Sequence, residues 1–283
     1  MLLRLKSKIK YEILPPMFLD MYRRIKNFSP RSGILCRGNA GLKGIHKGKR
    51  CFILCNGPSV NRQNLLPLKD EIVFSVSSGY HHKDYSVISP RYHCVPRLIY
   101  SSCFTVDTAI AWFKEMDHGT ADAELFLDAA NEPLVRRYGL FGGRIINYLY
   151  TGISFSDKMS KVIDITRIIP GPQSAPIMCL MVAMYMGFDK IYLIGTEHDS
   201  GVTGEYKYFY TPKLMRGADP NVDLNGKVKD VKVAQLAIRN LMAQYEAIKS
   251  IADSERIGIY NATLGGALEV FPRVNLPDIL RKV

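Results

Sequence analysis

The chain is short of several things, and each shortage removes a class of protein. Six cysteines in 283 residues form no CxxC pair, so neither a zinc ribbon nor a thioredoxin-like redox motif is present. They read as reduced thiols of a cytoplasmic protein. No apolar run reaches the roughly 18 to 20 residues that cross a bilayer, and the first residues are too charged, and too broken by Pro15-Pro16, for a signal peptide. No internal repeat is visible. Neither GxGxxG nor the Walker phosphate loop occurs, which removes the two strongest nucleotide fingerprints. Acids are scarce at one end only. Residues 1–50 hold 13 Lys and Arg against Glu12 and Asp20, whereas the other 233 residues hold 25 against 24 acids. The net charge of +12 therefore belongs to an N-terminal arm, and the body is nearly neutral. That distribution argues against a nucleic-acid-binding body.

What is present is organised around Ile168 to Ser200. Pro170-Gly171-Pro172 is a stiff loop, Ser174 is placed to cap a helix, and Ser174 to Met186 is an apolar run of helical length. Gly187 ends it. Lys190 to Ile194 reads as a buried parallel strand, followed by Gly195, Thr196, Glu197, His198, Asp199 and Ser200. Polar residues at the carboxyl end of a strand, beside a helix N-terminus, are where open α/β sheets hold ligands.

The rest of the chain repeats the theme. Residues 1–28 mix leucines and isoleucines with Lys and Arg and read as amphipathic helices suited to an anionic membrane surface. Residues 29–50 read as a linker, so that 1–49 is arm and linker and 50–283 one domain. Strands are expected at Arg50–Cys55, Glu71–Val76, Tyr92–Val95, Glu124–Leu127 and Ile257–Tyr260, with Arg144–Tyr150 a further candidate; five or six short strands interleave with helices. The fold class is α/β, a Rossmann-like open, mostly parallel sheet with helices on both faces. Asn56, Gly57, Pro58 and Ser59 follow the first strand, Ser77 and Ser78 the second, and Asn261 and Thr263 the last; these loops are expected to converge on one edge. His81 and His82 are adjacent and do not make a metal site. Residues 201–229, with Tyr206, Tyr208 and Tyr210, read as a lid.

A strand running into Asn-Gly-Pro-Ser (56–59), then Gly-Phe-Asp-Lys-Ile-Tyr-Leu-Ile-Gly-x-Glu-His (187–198), then Ile-Tyr-Asn-Ala-Thr-x-Gly-Gly (259–266) resembles a bacterial group found in surface-polysaccharide gene clusters. That group is similar to the CMP-sialic-acid-dependent sialyltransferases of lipooligosaccharide synthesis. It is also similar to the 6-hydroxymethylpterin diphosphokinase-like proteins and the motility accessory factors. The resemblance implies a glycosyltransferase that moves a sugar from a nucleotide donor, a CMP-sugar, to a glycan or lipid-linked glycan hydroxyl, without a metal or other cofactor.

It further implies that Asn56, Gly57 and Ser59 contact the nucleotide phosphates, and that Ser77 and Ser174 lie by the donor; Pro58, Ser78, Gly195, Asn261 and Thr263 join them as candidate donor contacts by their place in the loops that follow strands. Tyr206, Tyr208 and Tyr210 would hold the leaving phosphate. The sialyltransferases carry a catalytic His after the lid; this chain has none after His198, so His198 or Glu197 is the expected base, His198 with a pKa near its ordinary value. The Asp-x-Asp metal signature of many glycosyltransferases is absent. The protein is expected in the cytoplasm at the inner face of the membrane, held by its arm; a homo-oligomer is left open. Two rivals remain: pyrophosphate transfer from ATP, with Glu197 and Asp199 holding magnesium, and a non-catalytic nucleotide-binding subunit of a polysaccharide assembly complex.

Overall fold

The computed structural model describes residues 29–120, 122–153, 155, 162–214 and 221–281. The basic stretch 1–28 lies outside them. Seven strands form one all-parallel sheet: β1 (Arg50–Leu54), β2 (Val73–Val76), β3 (Tyr92–Val95), β4 (Glu124–Asp128), β5 (Ile146–Leu149), β8 (Lys190–Ile194) and β9 (Gly258–Asn261). Their order is β5-β4-β3-β2-β1-β8-β9. A separate parallel pair joins β6 (Thr151–Ile153) to β7 (Ile169–Pro170). The sheet thus has one more strand than the upper sequence count, because the candidate at Arg144–Tyr150 does pair, as β5 against β4.

Alternation along the strands explains the two faces. Cys51, Ile53, Phe74, Val76, Tyr92, Cys94, Phe126, Ile191 and Leu193 point into one core, shared with α5 (Ala175–Tyr185) and α7 (Val231–Ser254). Phe52, Leu54, Val73, Tyr192 and Ile194 point the other way, as do Val95, Leu125 and Leu127, which meet Trp112, Phe113 and Met116 of α3 (Val106–Gly119). Short helices α2 (Tyr85–Ile88) and α4 (Glu132–Tyr138) complete the layers. The helix α5 is buried from Pro176 to Tyr185, which is why its sequence is apolar all round rather than striped.

Residues 29–49 are not a linker. They form α1 (Pro30–Arg37) and a 3-10 turn, Gly38–Leu42. Ser29 caps α1 by accepting from the Ser32 amide. Asn39 is 1% exposed and donates to the carbonyls of Tyr148 (2.8 Å) and Ile165 (3.1 Å). His46 is buried, with Nε2 2.7 Å from the Tyr92 hydroxyl, and burial pushes its pKa down to about 4. The amides of Gly44 and His46 donate to the carbonyls of Tyr185 and Met186, which satisfies the C-terminus of α5. A Cβ on Gly187, whose φ is +82°, would stand 2.9 Å from the Gly44 Cα. The Gly, Ser, Lys and Arg of this stretch suggest a flexible tether, yet a few buried groups anchor it: Cys36, Asn39 and His46.

The segment expected to be a lid is partly regular over its described residues, 201–214 and 221–229. Beyond α6 (Ser200–Thr203), antiparallel bridges link Glu205 to Lys227 and Val222 to Val228, and the Tyr206 amide donates to the Gly226 carbonyl at 2.7 Å. The chain ends in α8 (Leu276–Leu280).

Candidate functional site

From β1 the chain proceeds outward through β2, β3, β4 and β5, while β8 lies on the other side of β1. The order therefore reverses between β1 and β8, and the crevice at their carboxyl ends is the predicted ligand position. A cavity of about 240 Å³ opens there. Its walls are Asn56 and Gly57 after β1, Ser77 after β2, Pro96 after β3, Gly195 to Ser200 after β8, Gln173 to Pro176 at the start of α5, and Glu205 to Tyr208 of the lid.

Nine of the sequence-expected residues line it: Asn56, Gly57, Ser77, Ser174, Gly195, Glu197, His198, Tyr206 and Tyr208. The others fall elsewhere. Ser59 is fully buried behind the loop and Pro58 begins a 3-10 turn. Ser78 is buried and accepts from Trp112 Nε1 at 2.9 Å. Tyr210 sits at the end of a row of rings, 5.4 Å from Tyr208 and 5.1 Å from His81, where burial pushes its pKa up to about 12. Asn261 and Thr263 knit loops together. Thr263 Oγ1 accepts from the Thr196 amide at 3.0 Å, Asn261 Oδ1 accepts from the Thr263 amide at 2.9 Å, and Asn261 Nδ2 donates to the Leu268 carbonyl at 2.8 Å. The last loop does converge on the site, but from behind. A Cβ on Gly266 would stand 2.5 Å from the Glu197 Cα, and the Ala267 amide donates to the Glu197 carbonyl at 2.6 Å.

Glu197 decides the character of the β1 loop. Its side chain lies under that loop, 7% exposed. Oε1 accepts from the Ser59 amide at 2.6 Å, and Oε2 is enclosed with no hydrogen-bond partner among the described residues. A Cβ on Gly57 would be 1.6 Å from Oε2, so Gly57 is a glycine because the carboxylate packs against it. The Gly57 amide donates to the Gly195 carbonyl at 3.0 Å. The Ser59 and Gly57 amides of this loop are thus taken: a carboxylate of the protein occupies one and a backbone carbonyl the other. The Asn-Gly-Pro-Ser loop is a seat for Glu197, and its remaining handle toward a ligand is the Asn56 side chain. Asn56 Nδ2 donates to the Val76 carbonyl at 3.3 Å, and Oδ1 is enclosed without a donor among the described residues.

His198 stands beside it. Its φ of +50° is in the left-handed region, as is that of Ser77 at +47° on the facing wall; both are non-glycine residues held in a sparsely populated conformation at the cavity. Nε2 lies 2.8 Å from the hydroxyl of Tyr245, a fully buried residue of α7. The residue is half-buried by surface area, but its ring is lodged among protein atoms, and this desolvation pushes its pKa down to about 4. At neutral pH it is an uncharged imidazole and a weak base, not the near-ordinary histidine expected from the sequence.

Three charged lining residues escaped the sequence assignment of donor contacts: Asp199, Glu205 and Lys207. Lys207 Nζ is 2.6 Å from Glu205 Oε2. The signal for Asp199 was its place in the polar cluster after β8; Glu205 and Lys207 alternate with the lid tyrosines. Against these carboxylates the cavity sets the N-terminus of α5, where the Ser174 hydroxyl is buried and forms no hydrogen bond among the described residues. Among the described residues no three His, Cys, Asp or Glu side chains group as metal ligands, and no helix is long and apolar enough to cross a membrane.

No family model matches the chain, and no curated protein is similar to it. Among solved structures it is similar to the MAf glycosyltransferase from Magnetospirillum magneticum AMB-1, at 13% identity and a TM-score of 0.49, over 89% of this chain and 40% of that one. The chain thus spans less than half the length of that protein. A likeness of that degree decides nothing about the site, which stands on the geometry given above.

Proposed function

We propose that the protein is a glycosyltransferase that moves a sugar from a nucleotide donor to a hydroxyl of a glycan or lipid-linked glycan. One observation carries the reading: the cavity at the β1–β8 reversal is two-sided. One wall offers donors, at the α5 N-terminus and Ser174; the other carries the carboxylate residues Glu197, Asp199 and Glu205. Glycosyl transfer needs both. The sugar–phosphate bond breaks as the acceptor oxygen attacks the anomeric carbon. Negative charge gathers on the leaving phosphate, where oriented N–H and O–H groups stabilise it. The acceptor proton needs a base, and the Glu197 carboxylate, turned out from under the β1 loop, takes that role in place of the neutral, buried imidazole of His198.

The balance of charge supports a donor with one phosphate. Among the described residues, Glu197, Asp199 and Glu205 line the cavity against one ammonium, that of Lys207, itself paired with Glu205. A nucleoside diphosphate would bring more negative charge than these walls offset. The modest volume favours the same choice. A CMP-sugar, used without a metal, fits both. The basic amphipathic residues 1–28 would hold the protein to an anionic membrane surface, near a lipid-linked acceptor.

The test is a thermal-shift panel of CMP, CDP, UDP, GDP, ADP and ATP, each with and without magnesium. Ligand at 100 times its dissociation constant stabilises by about 2.7 kcal/mol, which a melting curve resolves. CMP is expected to shift the transition equally with and without magnesium. With a CMP-sugar and acceptor, Glu197→Gln, which can keep the Ser59 bond, is expected to lower turnover by about 100-fold or more while the CMP shift persists. A shift with ATP and magnesium alone would replace this reading by pyrophosphate transfer. Nucleotide binding without turnover of any donor would leave a non-catalytic subunit.

A further inference from the structure

Among the described residues, the Tyr245 hydroxyl makes one hydrogen bond, and it is to His198. The residue is 0% exposed, its ring packed edge-on against Phe271 at 5.7 Å, and it reaches the cavity wall from α7 across 47 positions of sequence. A hydroxyl and an imidazole nitrogen can share a proton either way round. If Nε2 carried the proton and donated, the phenolic hydrogen would be left in the core with no acceptor, an expensive arrangement. The surroundings favour the other sense. Burial holds the Tyr245 pKa well above its ordinary value, so the phenol keeps its proton. The left-handed backbone of His198 aims the ring at α7.

Extending the transferase reading, we infer that Tyr245 is a positioning residue for His198: its hydroxyl donates to Nε2, fixes the imidazole with its proton on Nδ1, and so presents the cavity with an N–H donor in place of a base. With Nε2 engaged, Nδ1 is the nitrogen left for a ligand. His198 then belongs with Ser174 and the α5 N-terminus on the side that stabilises the departing phosphate, and the proton is left to Glu197. The arrangement accounts for a histidine next to a carboxylate at the end of β8 without two bases serving one step.

The experiment is nitrogen NMR on the full chain labelled with ¹⁵N-histidine, the His198 signals identified by their loss in His198→Gln. Wild type is expected to show Nδ1 protonated and Nε2 bare at neutral pH. Tyr245→Phe keeps the ring and removes the hydroxyl; the His198 signals should move toward the Nε2–H form that a free histidine side chain prefers, while those of buried His46 and His93 stay in place. A wild-type spectrum with the proton on Nε2, or a Tyr245→Phe spectrum identical to wild type, overturns the inference. Should the variant fail to fold, the wild-type spectrum alone decides the tautomer. With a CMP-sugar and acceptor, Tyr245→Phe should lower kcat on the order of tenfold with little change in KM; an unchanged kcat would overturn the catalytic part. The spectrum needs no substrate, so a chain that turns over no sugar nucleotide yet shows the Nδ1–H form would lose the transferase reading and keep this tautomer.

Discussion

Replacing Gly57 by alanine tests whether Glu197 is really seated under the β1 loop. The backbone there, at φ −71° and ψ 154°, suits any residue, so the cost is steric rather than conformational. The new methyl carbon would stand 1.6 Å from Glu197 Oε2, 2.4 Å from its Cδ and 2.7 Å from the Gly195 carbonyl oxygen. The carboxylate has to leave, and with it goes the 2.6 Å bond from the Ser59 amide. A buried hydrogen bond to a charged group is worth about 1.5–3 kcal/mol, and overpacking adds about 1–3 kcal/mol. An overall loss of about 3 kcal/mol is expected. For a domain of this size that is roughly 6–10 °C in Tm, read by calorimetry or by circular dichroism on heating. The decisive comparison repeats the substitution in Glu197→Ala. With the carboxylate gone, the two nearest of those three contacts vanish and the Gly195 oxygen remains, and Gly57→Ala should cost at least about 1 kcal/mol less than in wild type. Equal losses in both backgrounds would place the clash on the backbone and refute the seated carboxylate. No loss in wild type would mean that Glu197 moves aside freely.

Two further substitutions probe the N-terminal segment. Asn39→Ala leaves the Tyr148 and Ile165 carbonyls without their donor and should cost about 2–3 kcal/mol in urea unfolding; a tether would lose nothing. Glu132, buried under Arg31 of α1, is held below the usual carboxylate range by the Arg31 hydrogen bonds first and by Arg136 as well. Its folded pKa is the lower one. The stability it adds is therefore present above the unfolded value near pH 4.3 and is lost as pH falls through that value and below. Stability measured from pH 6 down to pH 3 should fall less steeply in Glu132→Gln than in wild type, and parallel curves would show that the pair contributes nothing pH-dependent.

Much of the architecture is legible in the amino-acid order alone. Parallel strands buried on both faces must be short continuous apolar runs, and Arg50–Leu54, Val73–Val76 and Lys190–Ile194 are such runs, each stopped by small polar residues. The all-round apolar α5 could only be a core helix. These are local properties, written in neighbours along the chain, and with them came the place of the site, since a sheet of this kind holds ligands at its carboxyl edge. The roles inside the site depended on residues far apart in sequence. Glu197 meets Ser59 across 138 positions and His198 meets Tyr245 across 47, and neither distance leaves a mark in the spacing of either partner. Asn261 and Thr263 look like ligand contacts by type and position, but pairing with Leu268 and Thr196 consumes their polar atoms. Composition pointed to a tether at residues 29–49, where four buried residues (Ser32, Cys36, Asn39 and His46) outweigh the many exposed ones. A protonation state, likewise, is set by what surrounds a group rather than by its name: the histidine after β8 was visible in the sequence, and only the packing of α7 against it made it a neutral imidazole.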